Sequence, residues 1–208
     1  MIRVFRLARS VHFNLIIRSI IFTESLFWGA VNLLDPIIPL FIAFRFNFSE
    51  AEIIEIAALG MTIYYVVKSV AEIPVAFVTD KLKGLIDEGW VLILSPVVRL
   101  VAIVMLLFVG SKLEFYLIFA LFGISYGISY APLQKIFAAY VTKRHESFEW
   151  SMFDISQNLA MALSAAIGGF LAIRFGFVFL FYTMIGIFVA IIFLRTVMLE
   201  QLRRDRKS

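Results

Sequence analysis

Residues 113–141 read LEFYLIFALFGISYGISYAPLQKIFAAYV, and the twenty residues from Phe115 to Gln134 carry no charge. Coiled as a helix with a rise of about 1.5 Å per residue, such a run covers about 30 Å, the thickness of a bilayer's hydrocarbon core. Working outward, apolar runs of the same kind divide at charged or Gly/Pro punctuation into 15–44, 52–79, 90–110, 148–173 and 177–197. With 113–141 they make six spans, joined by connections too short for a soluble domain. Composition agrees: 62% of the 208 residues are hydrophobic, against roughly 45–50% in soluble domains, and the mean hydropathy is +0.96. The expected fold is an all-α integral membrane protein, one six-transmembrane-helix bundle over residues 1–208. Met1 to Arg9 is basic and leads into an apolar stretch as a signal peptide does, but that stretch runs on towards Phe44 without a cleavage site, so it is read as an uncleaved first span.

Placement of the basic residues sets the orientation. With the N-terminus inside, the inner side collects Arg3, Arg6, Arg9, Lys81, Lys83, Lys143, Arg144, Arg195, Arg203, Arg204, Arg206 and Lys207, while the outer side collects Arg45, Lys112 and Arg174. Twelve against three is a positive-inside bias. An even number of spans then returns the C-terminus to the cytoplasm, in a multi-pass protein of the cell (inner) membrane. Basic residues beside spans set topology and give no reason to invoke nucleic acid. The chain has no Cys, which excludes disulfides and thiolate metal sites. No Walker loop, G-x-G-x-x-G or metal-ligand cluster appears, and nothing implies a cofactor. Gly123-Ile-Ser125-Tyr-Gly127 fits the G-x-S-x-G pattern of serine hydrolases, but a nucleophile needs a sharp exposed turn and a base. Here the serine lies in mid-helix, far from His12 and His145, so the chain is not expected to be an enzyme.

Embedded polar residues are the informative exceptions. A charge at mid-bilayer costs at least about 2.5–3.5 kcal/mol on insertion scales, so each needs a partner, a watery cavity or a nearby interface. Glu24, Trp28, Asn32 and Asp35 share one face of the first span, and Asp154, Gln157 and Asn158 share one face of the fifth. Lys68 and Glu72, four apart on the second, are placed to pair along their helix. Arg99 in the third span is read as a charge that snorkels towards the inner surface, and Lys135 lies near the inner end of the fourth. Small residues repeat at Gly123, Gly127 and Ala131, and again at Ser164 with Gly168 and Ala165 with Gly169, where they permit close helix packing in lipid. Tyr126 and Tyr130 flank the first of these faces. Pro36, Pro39, Pro74, Pro96 and Pro132 all fall inside spans, where each loosens its helix.

The loop after the second span carries a resemblance. Ala76-Phe-Val-Thr-Asp80-Lys81-Leu-Lys83-Gly84 resembles the cytoplasmic signature between helices two and three of the major facilitator superfamily, Gly-x-x-x-Asp-Arg/Lys-x-Gly-Arg/Lys. Asp80 and Lys81 match; Ala76 replaces the helix glycine, and the loop glycine is displaced, with Lys83 in its place and Gly84 next. The fourth span, with Gly123, Gly127 and Pro132, is similar to that family's fourth helix, and Ile167-Gly168-Gly169 through Phe175-Gly176-Phe177 resembles the turn from its fifth helix into its sixth. The resemblance implies one half of a twelve-helix transporter built from two six-helix repeats. It implies that helices one, two, four and five face a central cavity while three and six face lipid. It also implies that Asp80 meets the N-terminus of the other half's fifth helix, near Phe148 to Ser151, and that Asp80, Lys81, Lys83 and Gly84 form the cytoplasmic gating signature.

The resulting expectation is a secondary transporter of a small solute, working in the lipid bilayer as a homodimer of six-helix halves by alternating access. Glu24, Asn32, Asp35, Lys68, Glu72, Tyr126, Tyr130, Asp154, Gln157 and Asn158 are the candidates for the substrate and ion cavity. Glu24, Asp35 and Asp154 are the candidates to carry a coupling proton. The alternative is a membrane scaffold or assembly subunit that does not transport, or a half that needs a different partner chain; the same polar faces would then be protein contacts.

Overall fold

A computed structural model describes residues 14–46, 48–81 and 85–205, with backbone alone for 85, 86 and 205. The order of elements is α1 (Leu15–Asn32), a 3-10 turn (Asp35–Ile37), α2 (Ile38–Arg45), α3 (Glu50–Lys81), α4 (Leu85–Phe108), α5 (Lys112–Tyr140) and α6 (Glu146–Asp205). Five helical stretches are long and apolar enough to cross a membrane: Leu15–Arg45, Glu50–Lys81, Asp87–Phe108, Lys112–Tyr140 and Glu146–Arg204. Lys83 and Gly84, the end of the loop signature, and the basic residues Arg3, Arg6, Arg9, Arg206 and Lys207 lie outside the described residues.

Local chemistry explains the ends and breaks. Pro36 and Pro39 lack the N–H that would continue α1, and the chain passes through the tighter 3-10 turn before resuming as α2. Ser49 and Glu52 open α3 as a capping box: the Ser49 N–H donates to the Glu52 carboxylate at 3.1 Å, and the Glu52 N–H donates to Ser49 Oγ at 3.4 Å. Ser111 caps α5 by accepting from the Glu114 N–H. Pro74, Pro96 and Pro132 sit inside α3, α4 and α5 without ending them. α6 is interrupted at Gly176, where φ is 83° and ψ 166°. Positive φ is open to glycine at little steric cost, which is why this residue type marks the break.

Contacts along α1 and α2 show how the two limbs of α6 are arranged. Before Gly176, Ser164 lies beside Gly29, and Gly168 lies beside Leu33. After it the order is reversed: Phe177 and Phe181 pack on Phe41, Phe188 packs edge-on against Phe27, and Gln201 accepts from the Ser19 hydroxyl at 3.1 Å. One limb therefore runs with the first span and the other against it.

Close packing falls where the small residues lie. A Cβ at Gly123 would stand 2.6 Å from the Tyr64 carbonyl oxygen, and one at Gly127 would stand 2.9 Å from the Lys68 carbonyl oxygen, so α5 is seated backbone to backbone on α3. Gly168 is tighter still, with the Leu33 backbone occupying the space a side chain would need, whereas nothing lies within 4 Å of a Cβ at Gly169. Ser125, fully buried, donates to the Ser95 carbonyl of α4 at 2.9 Å. It serves as a helix-to-helix tie.

One ion pair locks the ends of the chain together. Glu24 and Arg195 are 2% and 1% exposed, and the guanidinium donates both to the Glu24 carboxylate and, at 2.5 Å, to the Leu92 carbonyl. Arg195 thus joins α1, α4 and α6 from the interior. It is not the interfacial, topology-setting residue that its position near the end of the last apolar run suggests. The physical reason is that Glu24, buried in α1, forms its ion pair with Arg195, and a buried carboxylate needs such a partner.

Two outcomes follow for stability. Gly168→Ala should lower the thermal midpoint of the detergent-solubilised protein by an amount corresponding to overpacking, about 1–3 kcal/mol, while Gly169→Ala should leave it within about 0.5 kcal/mol of wild type; equal effects would contradict the packing. Glu24→Gln and Arg195→Met should each destabilise by about 3–5 kcal/mol, because either leaves a buried polar partner uncompensated, and the double variant should be less destabilised than the sum. Strict additivity in that double-mutant cycle would mean the pair is not coupled.

Candidate functional site

Asp35, with Trp28 and Val31 of the same span, faces Met61, Tyr64, Tyr65 and Lys68 of α3. Arg99 of α4 and Phe119 and Phe122 of α5 complete the walls of a cavity of about 230 Å³. Five aromatic side chains and three charged ones converge here. Such a mixture, mostly apolar with a few fixed polar groups, is what small-molecule sites are made of.

Arg99 is the central charge. It is 3% exposed, and its guanidinium carbon lies 4.3 Å from the Phe122 ring centroid, 5.6 Å from that of Phe27 and 5.9 Å from that of Tyr64. Cation–π contact of this kind stabilises a desolvated guanidinium by up to about 2 kcal/mol. Asp35 acts on it electrostatically, and Tyr64 both electrostatically and through a side-chain hydrogen bond. Its Nε and Nη2 have no hydrogen-bond partner among the described residues.

Lys68 and Glu72 pair along α3 at 3.7 Å, both about a quarter exposed. The Lys68 ammonium also sits 4.4 Å from the centre of the Tyr126 ring and 5.9 Å from that of Tyr130, and Tyr126 packs on Trp28 with centroids 5.0 Å apart. These residues form a polar margin to the cavity. On the first limb of α6, Asp154 accepts from the Asn158 amide at 3.0 Å and both are exposed, while the Gln157 amide nitrogen is buried without a partner.

The sequence candidates therefore fall into four groups. Asp35 and Lys68 line the cavity, with Glu72, Tyr126 and Tyr130 next to Lys68. Asp154, Gln157 and Asn158 lie on a different helix, α6, and are not among its walls. Asn32 donates to the Trp28 carbonyl of its own helix at 3.1 Å. Glu24 points into the core, towards Arg195. Arg99, read from the sequence as partly snorkelling inward or else lining a path, lines the cavity, although the resemblance implies that the third helix faces lipid. Its own signal was present: a lone charge in mid-span with no partner in its helix.

At the ends of α3, α4 and α5 a second cluster appears. Lys135 lies 2.5 Å from the Glu88 carboxylate, which is fully buried, and donates to the Thr79 carbonyl at 2.6 Å. Nearby, Glu149 accepts from the Thr142 N–H at 3.0 Å. Asp80 and Lys81 are exposed at the end of α3, beside this cluster in sequence.

Comparison with known proteins agrees with this architecture. A solved structure of the peptide transporter POT, in complex with alafosfalin, superposes with a TM-score of 0.75 at 13% identity. The match covers 89% of this chain and 38% of that one, so the chain spans well under half the length of that transporter. At this identity the likeness is one of fold. No curated protein matches the chain in sequence. The family model described as the Major Facilitator Superfamily matches residues 20–208, and with nearly the whole chain covered, the chain belongs to the Major Facilitator Superfamily.

Proposed function

We propose that the chain is a six-helix half of a secondary transporter, crossing the membrane six times with both ends in the cytoplasm. A second copy would pair with it to enclose the solute path. Family membership implies secondary transport, and the resemblance of the loop signature supports the same reading. Gly176, with the reversed order of contacts on either side of it, supports a fifth and a sixth crossing. The excess of Lys and Arg in alternate connections supports the orientation.

The observation that carries the proposal is the face of α3. Of its most apolar window only 17% is buried, and at mid-helix it presents the Lys68–Glu72 pair, a quarter exposed, beside the opening of the cavity. Charges at that depth are not stable against lipid. Asp154 and Asn158 add a further exposed polar patch on α6. A second half laid over these faces would replace lipid with protein and water, and rocking of the halves would open the path to each side in turn. Asp35, in the cavity beside Arg99, is the carboxyl placed to take a coupling proton.

Asp80→Cys and Ser151→Cys variants, each in this Cys-free chain and carrying different tags, are expected to form a mixed disulfide when co-expressed and oxidised in membranes. Reconstituted wild type is expected to acidify or alkalinise liposomes containing a proton-sensitive dye when a pool of small solutes is supplied. Absence of the disulfide sinks the Asp80 contact; absence of flux across the whole pool favours a scaffold or assembly subunit.

A further inference from the structure

We propose that the cavity between α1, α3, α4 and α5 receives an oxyanion, a carboxylate or phosphate, carried on a small planar body, with Arg99 as the fork that holds it. The inference deepens the carrier reading and rests on it for its location. Its own support is the state of the guanidinium.

Nε and Nη2 of Arg99 share one edge of the planar group, and neither has a hydrogen-bond partner among the described residues. That edge presents two parallel N–H donors, which matches the two oxygens of a carboxylate or phosphate. Arg99 is 3% exposed and stacks on Phe122, and its open contact is with the cavity. Arginine cannot relieve the situation by losing its proton. Lys68, on the α3 wall, is a second cation, loosely paired with Glu72 at 3.7 Å.

Asp35 lines the same cavity and interacts electrostatically with Arg99 without hydrogen bonding to it. It stands as a distant counter-charge, which an incoming anion must oppose. This fixes a sign that a cation site would reverse. Trp28, Tyr64, Phe119 and Phe122 provide flat apolar walls, and the volume of about 230 Å³ lies below the roughly 300–1,000 Å³ typical of drug-sized ligands. The geometry suits one small ring or a similar planar body.

Calorimetric titration of the full chain in nanodiscs, with empty nanodiscs as the blank, tests this with benzoate, phenyl phosphate, benzylammonium and benzyl alcohol. Saturable binding is expected for at least one of the two anions, and the stronger one identifies the oxyanion preferred. The cation and the alcohol should bind at least about tenfold more weakly, the scale of a charge-assisted bidentate contact. Arg99→Gln should weaken the anion by at least about tenfold, Arg99→Lys should weaken it less, and Asp35→Asn should tighten it. Should Arg99→Gln fail to fold, Arg99→Lys and Asp35→Asn still decide the matter. Preference for benzylammonium, absence of saturable anion binding, or weaker anion binding in Asp35→Asn would overturn the proposal. Anion binding without flux in liposomes would count against the carrier alone, and flux of solutes without anion preference against the oxyanion site alone.

Discussion

Hydrocarbon cannot solvate a charge, and the structure is organised by what each embedded ionisable group does about it. Three solutions are visible. Glu24 and Arg195 neutralise each other in the core, at the junction of α1, α4 and α6. Glu88 and Lys135 do so at the end of the bundle, where Lys135 also ties down the last turn of α3. Arg99 has neither solution in full: it stacks on Phe122 and faces a cavity with one edge of its guanidinium unsatisfied. Lys68 and Glu72 pair only loosely and remain partly exposed. The first two are ion pairs made inside the chain. Arg99 faces the cavity and Lys68 its margin.

Backbone packing makes this arrangement possible. Gly123 and Gly127 let α5 approach α3 closely enough that Phe119 and Phe122 form the floor of the cavity under Arg99. Gly168 lets the first limb of α6 rest on the Leu33 backbone, next to the point where Pro36 breaks the first span. Asp35 lines the cavity beside Trp28 and Val31, at the start of the 3-10 turn that interrupts the first span.

Much of this was legible in the sequence, for physical reasons. Apolar length and small-residue spacing are local properties, and they carry the membrane class and the tight contacts at Gly123, Gly127 and Gly168, though not at Gly169. The family rests on the motif around Asp80 and its counterparts in later helices. The Lys68–Glu72 pair was equally legible, since four residues on one helix need no tertiary information. Glu24 with Arg195 was not, because its partners lie 171 residues apart and Arg195 falls where a topology-setting residue would be expected. The role of Arg99 was hidden by assigning whole helices to lipid or cavity. A long side chain on the far helix reaches between its neighbours, and helix-level reasoning cannot see that. Trp28 and Asp35, on one helical face, both line the cavity, while Glu24 on that face bonds to Arg195; a helical projection cannot show that distant partner.

The central claim is that the polar face of α3 and α6 is covered by a second copy of the chain. Its most direct test is the mass of the protein in lipid nanodiscs, loaded at a protein-to-lipid ratio low enough that chance co-occupancy is rare. The account predicts particles holding two copies. Particles holding one copy, with Lys68→Leu and Glu72→Leu tolerated together without loss of folding, would show that lipid covers this face and would contradict it.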